Sequence, residues 1–180
     1  MKFGIIKERK NPPDRRVVFT PEELVRLQSE HPEAEIKVES SDVRIFSDDQ
    51  YRNLGLNVTT DMTDCDVLFG VKEVPIDALI PNKKYFFFSH TIKKQPYNRK
   101  LLQAILAKNI ELYDHETIVD ATNHRLIGFG RYAGLVGAYN GFRGFGIKYD
   151  LFTLPKAETL SGKEDLIARL KRQTLPNIKI

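Results

Sequence analysis

Two short apolar runs constrain this chain most: DVLFGV at residues 66–71 and YFFFS at residues 85–89. Neither alternates with polar residues, which marks a strand covered on both faces, as in the middle of a parallel sheet. Parallel neighbours need a crossover connection between them. Residues 75–81, bounded by Pro75 and Pro81 and carrying Ile76, Leu79 and Ile80, supply a short helical segment for it. The rest of the chain keeps this rhythm. Residues 2–6 read as a short apolar strand, and Thr20-Pro21-Glu22-Glu23 then offers an N-cap, a first-turn proline and a capping-box glutamate. Leu24, Val25 and Leu27 begin the buried stripe of a helix that ends near His31-Pro32. EIKVE at 35–39 alternates as a strand does, and Ser47 with Gln50 forms a second capping box closed by Gly55. An amphipathic helix is expected over 96–109, with Leu101, Leu102, Ile105 and Leu106 on one side. Strands follow at 110–113 and 126–129, then a glycine-studded helix at 131–149 and a charged amphipathic helix at 161–173. The alternation predicts an α/β fold, a doubly wound and mostly parallel sheet with helices on both faces, Rossmann- or flavodoxin-like.

Composition narrows the function classes. At 180 residues, 41% hydrophobic and 29% charged, the chain suits an ordinary globular α/β domain. It holds no apolar stretch of the roughly 20 residues that span a bilayer, and its first residues lack the pattern of a secretory signal. The single cysteine, Cys65, excludes an internal disulfide and fits a reducing cytoplasm. It lies between Asp64 and Asp66, whose charges oppose a thiolate, so a catalytic cysteine is disfavoured. The net charge of +4 is dispersed among acids, without the dense basic face that nucleic-acid binding requires. A modest positive bias would still attract a dicarboxylate or an anionic cofactor. Metal-ligand spacing of Cys and His is absent from the sequence.

Ligands of open parallel sheets sit beyond the carboxyl ends of the strands. DVLFGV is followed at once by Lys72-Glu73, and YFFFS by His90. If these two strands are neighbours, Lys72 and His90 face one crevice, and partial desolvation together with imidazole chemistry suits the pair to proton transfer. The loop between the first strand and the first helix, KERKNPPDRR, ends in two adjacent arginines, Arg15 and Arg16, again at a strand's carboxyl end. Arginine matches a carboxylate with two hydrogen bonds, but spacing alone does not choose between Arg15 and Arg16. Gly128-Phe-Gly130-Arg-Tyr-Ala133 matches a dinucleotide fingerprint, with Asp150 about twenty residues on. No second apolar strand precedes Asp150, however. The glycines at 130, 134, 137, 141 and 144 recur at helical steps, which favours close helix packing over cofactor binding.

Taken together, GIIKERKNPPDRRVVFTP, GVKEVP, FFFSHTIKKQPYNRKLL and ELYDHETIVD followed by RLIGFGRYAG resemble, in order, the N-terminal domain of the alanine dehydrogenase, transhydrogenase and saccharopine dehydrogenase superfamily. Ser89-His90-Thr91-Ile92-Lys93 resembles the saccharopine (lysine-ketoglutarate reductase) branch more than the alanine dehydrogenases. The resemblance implies a two-domain enzyme with its active site in the interdomain cleft. Residues 1–150 would be the catalytic, substrate-binding domain and 151–177 a linker and helix. Residues 178–180 would be the first of a separate Rossmann domain that binds NAD or NADP. It implies that Lys72 and His90 form an acid/base pair and that Arg16 holds a substrate carboxylate. Glu73 and Glu116 would tune their charge, and Arg125 is a further substrate-side residue. Asp114 and Asp120 stay unassigned. The implied reaction joins lysine to 2-oxoglutarate, or reverses that step, with alanine dehydrogenation as the alternative and a non-catalytic ligand-binding or interaction domain as another. The implied partners are a small amino acid or 2-oxo acid and a C-terminal cofactor domain, with no nucleic acid and no membrane. Neither the sequence nor the resemblance fixes an oligomeric state.

Overall fold

The computed structural model describes residues 1–173, which form two compact units, one of Met1–Gly128 and a smaller one starting at Phe129. The strand expected to open at residue 178 lies outside the described residues. The larger unit is a six-stranded sheet of β1 (Lys2–Ile5), β2 (Glu35–Glu39), β3 (Asn57–Thr59), β4 (Val67–Phe69), β5 (Lys84–Phe87) and β6 (Glu111–Asp114). The spatial order is β3-β2-β1-β4-β5-β6 and every neighbouring pair is parallel. This is the doubly wound α/β architecture that the sequence predicts. α1 (Pro21–Glu30), α2 (Asp48–Arg52) and α3 (Arg99–Ala107) make its α-helical layers.

Side-chain alternation divides the core. Ile5, Ile36 and Val38 meet Leu24 of α1 and Tyr51 of α2 on one face. Leu68, Tyr85 and Phe87 meet Leu79, Leu101 and Ile105 on the other. Gly4 is required on that second face, because a Cβ there would lie 2.7 Å from Leu68 and 3.0 Å from Met62. The unbroken apolar run of β5 is explained by Phe86, which points to the first face and stacks on Phe69 at 4.7 Å and Tyr113 at 4.6 Å between ring centres. Cys65 is fully buried in the second cluster, and burial, helped by the charge of Asp64, pushes its thiol up, away from nucleophilic use.

Both capping boxes form as the sequence implies. Thr20 accepts from the Glu23 amide at 3.2 Å and Glu23 accepts from the Thr20 amide at 2.8 Å. Ser47 and Gln50 repeat the arrangement. The crossover between β4 and β5 is a single 3-10 turn at Ile76–Ala78 rather than a full helix. The strand expected at 126–129 is absent. Residues there find no sheet edge, and Arg125 instead makes one antiparallel bridge with Val119 across a tight loop. β3 is an addition to the expected set.

In the smaller unit, α4 (Gly130–Lys148) and α5 (Lys163–Lys171) share a core of Tyr139, Leu154 and Leu166. Gly146 alone among the α4 glycines is sterically required, since a Cβ would lie 2.4 Å from the Phe152 ring and 2.6 Å from its carbonyl oxygen. At 130, 134, 137, 141 and 144 a Cβ would meet nothing within 4 Å, so the close packing expected of them is not made among the described residues. No described helix is long and apolar enough to cross a membrane.

Candidate active site

The strand order reverses direction between β1 and β4, and that switch point places two loops side by side at the carboxyl ends of the sheet. One is the segment after β1, the other the segment after β4. Lys10, Pro12, Pro13, Asp14, Arg15 and Arg16 from the first line an open cleft of about 340 Å³ together with Lys72 from the second. Arg16 donates from Nε to Asp14 Oδ1 at 2.9 Å and from Nη2 to Oδ2. These bonds from Arg16, against a burial penalty, hold the Asp14 carboxyl below its usual range, with the Lys72 charge adding to the effect. Asp14 therefore orients Arg16 at the cleft. Arg15 lines the same cleft, so the geometry keeps both arginines beside Lys72.

The other half of the site hangs from β5 and β6. Ser89 is fully buried and donates both its hydroxyl and its amide to Asp114, which also accepts the Glu116 amide at 2.9 Å. Asp114 thus ties the ends of two adjacent strands together. One residue on, His90 adopts a left-handed backbone (φ 56°), uncommon for a residue with a Cβ. The Asn98 side chain donates to the His90 carbonyl at 3.1 Å and secures that conformation. Strain maintained by specific bonds is concentrated at functional positions in proteins.

The imidazole of His90 sits between two carboxylates. Its Nδ1 is 3.0 Å from Glu116 Oε2, and its Nε2 is 3.5 Å from Glu73 Oε1. Lys93 Nζ lies 3.1 Å from the same Nδ1 and 3.2 Å from Glu116 Oε1. A protonated Nδ1 donates to Glu116, whereas a bare Nδ1 accepts from the Lys93 ammonium, so both states of the ring have a partner. Arg125 completes the cluster, 3.4 Å from Glu116. Burial opposes ionisation of Glu116, but the bonds from Lys93 and His90 outweigh it and hold the carboxyl below its ordinary value. Glu116 is therefore the buried anion around which His90, Lys93 and Arg125 are arranged. Asp120 takes no part in that cluster; it accepts the amides of Thr122 and His124 and shapes the loop that delivers Arg125.

Phe88 joins the two halves. Lys72 Nζ stands 5.9 Å from its ring centre, and the His90 ring stacks against it at 6.3 Å. The sequence-derived set Lys72, Glu73, His90, Glu116 and Arg125 converges on this region, and Arg16 lines one cleft with Lys72. Lys93, Asn98, Glu8 and His115 belong to it as well and were not anticipated. Lys93 stands in the sequence only as the last residue of the Ser89-His90-Thr91-Ile92-Lys93 motif, with no role attached to it.

His115 is buried and bonds through Nε2 to the Gly70 carbonyl at 3.1 Å, while its Nδ1 has no bond. Burial pulls its imidazole below the ordinary 6.5, against the opposing effects of the Gly70 carbonyl and Asp114. Between that ordinary value and the depressed one the unfolded chain binds more protons than the folded one, so stability rises with pH across the window. The contribution is complete above pH 6.5 and is lost as the pH falls toward the folded value. Urea midpoints measured from about pH 7 to about pH 5 should fall more steeply for the wild type than for His115→Gln. Parallel curves would exclude this assignment.

A dinucleotide cradle is not formed by the described residues. Gly130 opens α4, but no strand precedes Gly128, and the fingerprint requires a strand to aim the phosphates at the helix.

Residues 4–136 match the family model described as alanine dehydrogenase/PNT, N-terminal domain. The alpha-aminoadipic semialdehyde synthase of Arabidopsis thaliana is 35% identical over 147 residues, which are 79% of this chain and 14% of that protein. The saccharopine dehydrogenase [NAD(+), L-lysine-forming] of Yarrowia lipolytica is 26% identical over 146 residues, 77% of this chain and 40% of that protein. Among solved structures, an L-alanine dehydrogenase superposes with a TM-score of 0.60 at 20% identity, over 83% of this chain and 41% of that one. The chain thus spans less than half the length of the relatives named here, and the likeness to alanine dehydrogenase shows a shared fold. With its matched residues running from β1 through the whole sheet and every motif of the cleft, the chain belongs to the alanine dehydrogenase/PNT N-terminal domain family.

Proposed function

We propose that this chain is the substrate-side domain of an NAD(P)-dependent amino-acid dehydrogenase that forms or cleaves saccharopine. The observation that carries the reading is the convergence of Lys72 and His90 on Phe88, with Glu73 and Glu116 bracketing the imidazole. Joining the lysine amine to the ketone of 2-oxoglutarate expels a hydroxyl, which must leave as water. A general acid has to protonate it, and the reverse reaction needs the same group as a base. In this reading Lys72 and His90 exchange that proton. Arg16, oriented by Asp14, and Arg125, drawn in by Glu116, supply positive charge for the carboxylates of a multiply acidic substrate. In this reading NAD or NADP is held by a second domain outside the described residues. Alpha-aminoadipic semialdehyde synthase and saccharopine dehydrogenase, which align with this chain at 35% and 26% identity, support the saccharopine reading; alanine dehydrogenation is the alternative.

Amide resonances of the chain, followed while saccharopine is added to millimolar concentration, test the site directly. The expected shifts centre on Arg16, Lys72, Glu73 and His90. Shifts confined to other regions, or equal shifts with a neutral amino acid, would contradict the assignment.

A further inference from the structure

The backbone that presents Lys72 has to be anchored after β4 ends, and the manner of anchoring singles out one side chain. β1 and β4 pair through Ile5 and Phe69, and the last backbone bond between them runs from the Ile6 amide to the Phe69 carbonyl at 2.9 Å. Beyond that point β1 turns away into its loop. On the opposite side β5 continues the pairing, for the Gly70 amide donates to the Phe86 carbonyl and the Phe88 amide to the Val71 carbonyl. The Val71 and Lys72 amides face the side where the backbone partner has gone. Glu8 fills that place. One carboxylate oxygen accepts the Val71 amide at 2.7 Å and the other accepts the Lys72 amide at 2.9 Å.

We infer that Glu8 is the positioning residue of Lys72, a side-chain continuation of the β1–β4 ladder that fixes the lysine relative to the loop carrying Asp14 and Arg16. Several observations agree with it. The two bonds span 63 and 64 residues of sequence, so they join separate elements rather than close a local turn. A two-pronged contact defines direction as well as distance, which a single bond does not. Burial, with the Asp14 charge, pushes the Glu8 carboxyl up while chiefly the two amides, and then Arg16, oppose it, so removing the amides would take away most of what offsets its desolvation. Glu8 touches no reacting group; it acts through the Lys72 backbone.

The catalytic part of this inference rests on the function proposed for Lys72, and the contact itself does not. The test therefore has two readouts. Glu8→Gln keeps one acceptor oxygen but turns an N–H toward the second amide. Glu8→Asp keeps the charge but is one methylene too short for both bonds. In the 180-residue chain, hydrogen exchange at the Val71 and Lys72 amides should speed up at least about tenfold in both variants, with exchange in β2 and β3 unchanged. In the dehydrogenase that carries this domain, kcat should fall by about tenfold or more in both, with KM for the amino acid moving less than about twofold. Should Glu8→Gln fail to fold, Glu8→Asp alone carries the test. Unchanged exchange at both amides would overturn the anchor. Faster exchange with unchanged kcat would overturn the positioning role while leaving the site intact. Turnover that survives Lys72→Met would overturn the function of the lysine, and the positioning role with it, without bearing on the exchange result.

Discussion

Replacing Lys72 by methionine, or His90 by glutamine, should lower the turnover of a dehydrogenase built on this domain by about 10²-fold or more. The two side chains reach the crevice from the ends of adjacent strands and stand 5.9 and 6.3 Å from the centre of one phenylalanine ring. Methionine keeps most of the apolar length of the lysine stem and removes only its proton-carrying end. Glutamine keeps a polar group facing Glu73 and Glu116 but cannot cycle a proton. The unfolding free energy should move by less than about 1 kcal/mol in Lys72→Met, because that lysine sits only partly buried at the cleft. A large kcat loss with a small stability change separates chemistry from structure. Stopped-flow or steady-state turnover alongside a urea curve provides both numbers. Variants that stay within about threefold of wild type would remove the acid/base pair from the mechanism.

The largest stability effect is expected at Asp114, where Asp114→Ala should cost about 3 kcal/mol. Asp114 is 6% exposed and accepts three bonds, from the Ser89 hydroxyl, the Ser89 amide and the Glu116 amide. Alanine would strand those donors in a region closed to water, which is more costly than the mean value of the bonds themselves. Asp114→Asn retains an acceptor and should cost less than half as much. The loss should extend to His90, whose backbone geometry depends on Ser89 holding its place. Denaturation midpoints of the two variants measure the effect. A cost below about 1 kcal/mol for the alanine variant would show that Asp114 is not the hub.

The parts of this molecule that were legible in its sequence are those governed by local chemistry or by strand ends. Both capping boxes depend on residues three apart, and both form. DVLFGV and YFFFS announced central strands because both faces of each are covered, and Lys72 and His90 followed from where such strands end. The failures have one physical source, which is that pairing is not local. NVT at 57–59 has too little apolar pattern to read as a strand until β2 offers an edge. Residues 126–129 have strand-like composition but no edge to join, and the pairing nearby is the single bridge of Arg125 with Val119. The roles of Glu8 and His115 arise from backbone amides and a carbonyl that lie 63, 64 and 45 residues away, and no spacing rule encodes that. Glu116 was readable as an acid near the site, but its place as the buried centre of a His90–Lys93–Arg125 cluster needed the fold.

One measurement bears most directly on the proposed chemistry: consumption of reduced nicotinamide cofactor by the complete enzyme, compared between lysine with 2-oxoglutarate and ammonia with pyruvate. A saccharopine-type site predicts kcat/KM at least about 10²-fold higher for the lysine pair, because Arg16 and Arg125 would otherwise face no second carboxylate. That activity should collapse in Lys72→Met. Preference for pyruvate and ammonia, or turnover of either pair that survives the loss of Lys72, would contradict it.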